Sequence, residues 1–188
     1  HKILKFSMDT ESKLLKILSE KPNSKDLLSM AMKLESNSKF NLKRDIKKLR
    51  GIWELRWSSS KAPFLNYSPL IDNLQILNPS ESNAMNLLKP RGINGIIGTG
   101  IVAKLNPIND IRVGVKFTHA GFIGPKIGFT KLNALAQIKK EQNGWLEITY
   151  LSNTLRICRG DKGTLFLLKK RIDEKLFTRF EEFIKRFK

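Results

Sequence analysis

Residues 144–169 read GWLEITYLSNTLRICRGDKGTLFLLK. Three strand-like stretches, Trp145–Leu151, Thr154–Arg159 and Thr164–Lys169, succeed one another with only short breaks. Between the last two stands Gly160-Asp161-Lys162-Gly163, a strong hairpin turn, because glycine reaches the positive backbone angles that tight turns need. Strands this close together leave no room for crossover helices and pair antiparallel.

Working back along the chain, the same two-residue period begins at Gly51. Trp53, Leu55 and Trp57 alternate with Glu54, Arg56 and Ser58, the pattern of a half-buried strand. Further strands are expected at Pro69–Leu77, Ala84–Leu88, Gly100–Leu105 and Ile111–Phe117, where Val113, Val115 and Phe117 alternate with Arg112, Gly114 and Lys116. Residues 127–138 read as strand or short helix, with Gly128–Leu132 favoured as strand. About eight short strands at near-regular spacing predict a mainly β fold, an antiparallel barrel or sandwich.

Before Gly51 and after Ile172 the period is helical. Leu14, Leu15, Ile17 and Leu18 come after Thr10, a candidate N-cap with Asp9. A second helix is expected from Ser24 through Leu34, and a third over Asn41–Leu49 stopped by Arg50-Gly51. Ile172–Phe187 carries Leu176, Phe177, Phe180, Phe183, Ile184 and Phe187 as one broad apolar stripe. That stripe is most simply a helix packed on the outside of the barrel; the other reading is a basic amphipathic helix on a membrane. The expected organisation is a helical segment 1–49, a barrel 50–171 and a C-terminal amphipathic helix 172–188.

The chain carries a net charge of +18, divided as +7 over residues 1–50, +5 over 51–138 and +6 over 139–188. Charge spread in this way draws the protein to any polyanion, an anionic membrane surface included. Nucleic acid is disfavoured, since no face alternates aromatic and basic residues as a stacking platform does. No run of 18 apolar residues exists to span a bilayer. His1–Phe6 is too short and polar for a signal peptide. Cys158 is the sole cysteine and reads as core. With only His1 and His119 besides, no metal site is expected. There is no phosphate-binding loop and no Gly-x-Ser-x-Gly elbow. The acidic residues form no strand-end pair, so no catalytic residues are assigned and an enzyme is not expected.

Two blocks are specific. The first runs from Gly51-Ile52-Trp53-Glu54-Leu55-Arg56-Trp57 to Pro69-Leu70-Ile71-Asp72-Asn73-Leu74, and the second is 144–166. In content, order and separation they resemble the two signature blocks of the plastid lipid-associated protein, or fibrillin, family, over roughly residues 49–170. That family usually has acidic residues after the Tyr-Leu pair; here those places are Ser152 and Asn153. The resemblance implies a lipocalin-like barrel in a plastid stroma or cyanobacterial cytoplasm, peripheral to the thylakoid membrane, that holds a lipid, quinone, carotenoid or related terpenoid without requiring a cofactor. Gly51-Ile52-Trp53 is also similar to the Gly-x-Trp that opens the first lipocalin strand. There the tryptophan plugs the closed end and an arginine from the last strands stacks on it. Arg156 is the first candidate for that arginine and Arg171 the second.

The inward positions are read as Leu55, Trp57, Val113, Val115, Phe117, Ile148, Tyr150, Leu155 and Ile157, all apolar or aromatic. They suit either an apolar ligand or a dry, filled core. In the second case the barrel is an assembly module docking to a photosynthetic protein complex. Two glycine-rich apolar segments, 89–98 and 119–125, are read as loops, with Ile93, Ile96, Ile97, Phe122 and Ile123 as membrane contacts.

Overall fold

The computed structural model describes residues 2–62 and 65–187. Helices α1 (Lys2–Glu20), α2 (Asp26–Ser36) and α3 (Leu42–Asp45) come first, and α3 continues as a 3-10 turn, Ile46–Leu49. Eight strands come next: β1 (Gly51–Ser58), β2 (Ile71–Asn78), β3 (Asn83–Pro90), β4 (Gly98–Pro107), β5 (Arg112–Ile127), β6 (Thr130–Leu151), β7 (Leu155–Gly160) and β8 (Leu165–Arg171). Helix α4 (Glu174–Ile184) is last. Each strand pairs antiparallel with the next, and β1 pairs with β8, closing the ring. The expected mainly β barrel with flanking helices is the fold.

Three details differ from the sequence expectation. Helix α1 runs through Thr10, which is buried in mid-helix and caps nothing. Segment 119–125 is strand, the outer half of a long β5–β6 hairpin, because Gly121 lets two backbones meet: a Cβ there would lie 2.0 Å from the Ala134 carbonyl oxygen. Gly128 and Phe129 form the turn of that hairpin, so the strand expected at 128–132 starts at Thr130 and continues to Leu151.

The apolar side chains form three clusters. Trp53, Leu55, Leu77, Ala84, Ala103, Val113, Ile148, Cys158 and Leu168 face the barrel interior, with Leu42 and Leu49 at its end. On one outer wall, Leu74, Ile76, Met85, Leu87, Val102 and Ile123 are covered by Leu176, Phe177, Phe180, Phe183 and Ile184 of α4. On the other, Tyr150, Leu155, Ile157, Leu165 and Leu167 are covered by Leu14, Leu18, Leu27, Ala31 and Leu34 of α1 and α2. The stripe on α4 thus packs on the barrel. A closed barrel whose outer walls are also buried is apolar on both faces of several strands.

Carboxylates from the helices fasten α1 and α2 to the wall. Glu11 accepts hydrogen bonds from Tyr150 at 2.6 Å and Ser152 at 2.7 Å, and also from Thr154. Glu35 pairs with Arg159 through both oxygens, at 2.9 and 2.7 Å, and accepts from Thr149 at 2.7 Å. An acidic residue at position 152 would face Glu11; the serine there donates to it instead.

At the other end of the first strand, Asp45 ties α3 in place. Arg44 lies 2.6 Å and Lys48 2.9 Å from its buried carboxylate, and the Asn41 backbone N–H donates to it at 3.2 Å. The Arg44 hydrogen bond, with Lys48, holds the Asp45 carboxyl well below the usual range despite burial. A carboxylate depressed in the folded state contributes stability above its unfolded pKa of about 3.9, and that contribution is lost as pH falls from there through the folded value. Asp45→Asn is therefore expected to lower the urea midpoint most at pH 7 and by less at pH 3, with the difference shrinking further as pH falls below 3; an equal loss at all pH values would contradict the role of the charge.

Candidate functional site: the barrel cavity

One end of the barrel is closed. Gly51 opens β1 at φ +133°, a region disfavoured for side-chain-bearing residues, and the chain passes directly from the 3-10 turn into the strand. The Trp53 indole N–H donates to the Leu49 carbonyl at 2.8 Å, and Leu42, Ile46 and Leu49 cover this end. The Arg156 guanidinium lies over the Trp53 ring at 5.1 Å, and the Lys170 ammonium approaches the ring at the same distance. Arg171, the other candidate, instead pairs with buried Asp72 at 2.8 Å on the outer wall, where Arg91 pairs with the same carboxylate at 2.9 Å.

Above this floor the interior is hollow. Inward positions on β3 and β4 carry Ala84 and Ala103, which are too small to fill the ring, and a cavity of about 550 Å³ remains. Val113, Val115, Phe117, Ile148, Leu105 and Phe166 form apolar wall. Gln75, Asn86 and Arg156 are the polar groups deep among the lining residues, while Gln142, Asn143, Asp161, Lys162 and Thr164 stand towards the mouth. The meander places the β1–β2, β3–β4, β5–β6 and β7–β8 connections at this open end, opposite Trp53. The volume lies within the roughly 300–1,000 Å³ common for small-molecule sites.

The expected inward set divides. Val113, Val115, Phe117 and Ile148 line the cavity, and Leu55 is interior beside Trp53 without lining it. Trp57, Tyr150, Leu155 and Ile157 face outward under α1 and α2, not into the barrel. For Trp57 and Tyr150 the cause is a β-bulge. The register slips at Arg56 and again at Thr149, and each extra residue inverts the in–out phase of the strand beyond it. For Leu155 and Ile157 the cause is the helix-covered wall, since their inward neighbours are Arg156 and Cys158.

Of the expected membrane-contact residues, Ile93 and Phe122 are exposed and Ile97 is half-buried. Ile96 and Ile123 are buried under α4 and are not surface contacts, because 119–125 is strand and residue 96 tucks beneath the helix. Large exposed apolar side chains at the open end include Leu65, Leu70, Ile127 and Phe129. His119 lies against the Phe187 ring, with centroids 4.7 Å apart, away from the cavity.

Burial sets the charge state inside. It pushes Arg156 and Lys170 below their ordinary values, Lys170 also through the nearby positive charges of Arg50 and Arg156. Burial pushes the Cys158 thiol up, with Arg156 drawing it partly back, so Cys158 stays a neutral thiol. Among the described residues no cluster of three metal-ligating side chains occurs.

An eight-stranded antiparallel meander, plugged at one end by a tryptophan under an arginine and hollow above it, defines a lipocalin-like barrel. Residues 12–169 match the PAP_fibrillin family model, and the chain belongs to that family. No curated protein and no solved structure matches it at a significant level. Among the described residues no helix is long and apolar enough to cross a membrane.

Proposed function

We propose that this protein binds and carries an apolar small molecule in its barrel, at the surface of a photosynthetic membrane in a plastid or cyanobacterium. The observation that carries this reading is the cavity of about 550 Å³, walled by aliphatic and aromatic side chains and open opposite Trp53. A lipid, quinone, carotenoid or related terpenoid matches such a wall, whereas a sugar-like ligand would leave polar groups unpaired at about 1–3 kcal/mol each. The role is binding rather than catalysis: Asp161, in the β7–β8 turn, is the one carboxylate among the described lining residues.

A titration with a fluorescent polyene, displaced by an unlabelled quinone or carotenoid, tests the reading. Saturable emission enhancement with one site per chain is expected. No enhancement, or a linear rise without saturation, would refute it.

Membrane proximity is supported by the exposed apolar groups at the open end, Phe129 fully exposed at the hairpin tip, and by the net charge of +18. Screening shortens the reach of charge from about 30 Å at 0.01 M to about 8 Å at 0.15 M ionic strength. Flotation with anionic liposomes is therefore expected to fall steeply across that range and to be near zero with neutral lipid. Equal flotation with neutral liposomes would show that the apolar tips, not the charge, carry the contact.

A further inference from the structure

Arg156 sits at the cavity floor with 1% of its surface exposed, the most buried arginine of the barrel. Arg91, Arg112, Arg159 and Arg171, each about a third exposed, all pair with a carboxylate. Arg156 has no carboxylate partner among the described residues. It donates through Nη2 to the neutral Gln75 side-chain oxygen, and its Nε has no hydrogen-bond partner. The Trp53 ring takes part of the charge, but the same ring is approached by Lys170, and among the described residues no anion offsets Arg156. A buried ion without a counter-ion is costly, and the cost is relieved by whatever anion enters.

The surroundings specify the rest of that anion. Besides Gln75 and Asn86, the cavity wall includes Ala84, Ala103, Val113, Val115 and Ile148, which accept an aliphatic chain. The mouth carries Lys162 beside Asp161, so the steering of an anion rests on the strongly positive charge of the protein as a whole. We infer that the ligand of this cavity is a long-chain carboxylate, bound head-down with its carboxylate on Arg156 beside Gln75 and its tail towards the open end. This rests on the proposed ligand-binding role and names the chemical class of the ligand. A planar carboxylate suits a guanidinium edge, which offers parallel N–H donors.

The test compares an 18-carbon fatty acid, its methyl ester, the matching alcohol and an alkyl phosphate as competitors of a fluorescent polyene, at 0.5 M salt so that surface charge is screened. The acid is expected to bind about 10- to 100-fold tighter than the ester, the scale of a charge-assisted hydrogen bond. Gln75→Glu places a carboxylate beside Arg156 without removing the guanidinium from the Trp53 ring. That variant is expected to lose the preference for the acid over the ester. If the ester and alcohol bind wild type as tightly as the acid, the carboxylate assignment falls while the apolar cavity stands. If neither acid nor ester binds, the ligand-binding role falls and this assignment with it. An alkyl phosphate preferred over the acid, or an acid preference that survives in Gln75→Glu, would also overturn the assignment.

Discussion

Trp53→Ala is expected to lower the free energy of unfolding by about 3–5 kcal/mol, the usual cost of truncating a fully buried aromatic side chain. Trp53 is 0% exposed, holds the 3-10 turn through its indole N–H and supports the buried Arg156 from below. Its removal opens the closed end and leaves the guanidinium without its π-face, so the loss combines a cavity with a poorly compensated charge. Met32→Ala, at an exposed position on α2, serves as the control and should change stability by no more than about 0.5 kcal/mol. Urea unfolding of the two variants side by side measures the difference. A Trp53 variant with the wild-type midpoint would show that the indole does not plug the barrel.

Ala103→Phe is expected to abolish ligand binding while leaving the protein folded. Ala103 is buried in the interior and borders the cavity, so a ring at that position projects into existing space instead of into packed neighbours. Overpacking a tight core typically costs about 1–3 kcal/mol, and a hollow site should sit at the low end. The polyene titration reads the effect directly. Unaltered affinity in a folded Ala103→Phe would move the ligand out of the barrel.

The architecture is legible in the sequence because its signals are local and agree. The period changes at Gly51 and again near Ile172, the Gly160–Gly163 turn fixes the last hairpin, and the α4 stripe marks a face to be buried. The cavity lining is legible only in part. Alternation counted from Leu55 puts Trp57 inside, and counted from Ile148 puts Tyr150 inside; a bulge at Arg56 and another at Thr149 reverse both. Sequence pattern carries no clear mark of where one extra residue enters a strand. Leu155 and Ile157 illustrate a second difficulty. A strand with α1 and α2 outside it shows its apolar side to the helices, and the inward positions are left to Arg156 and Cys158.

The deep polar groups are hidden for the same reason. Gln75 stands between Leu74 and Ile76, so alternation assigns it to solvent; α4 covers the leucine and isoleucine, and the glutamine points inward to Arg156. Glu11 and Glu35 read as ordinary charges on helix surfaces, and only the fold brings them to Tyr150, Ser152 and Arg159. Arg156 can be singled out through the resemblance to lipocalins, but that it has no carboxylate partner among the described residues is a property of the folded interior alone.

The central claim is that the barrel is hollow and takes an apolar ligand from its open end. A crystal structure of the protein soaked with a brominated long-chain lipid tests it most directly, because bromine marks the chain in anomalous maps. The account predicts anomalous peaks along the axis above Arg156, between the Ala84–Ala103 wall and Val115. An interior closed by repacked side chains, with bromine found only on the outer surface, would contradict it and leave a filled barrel that docks to a membrane protein complex as the better description.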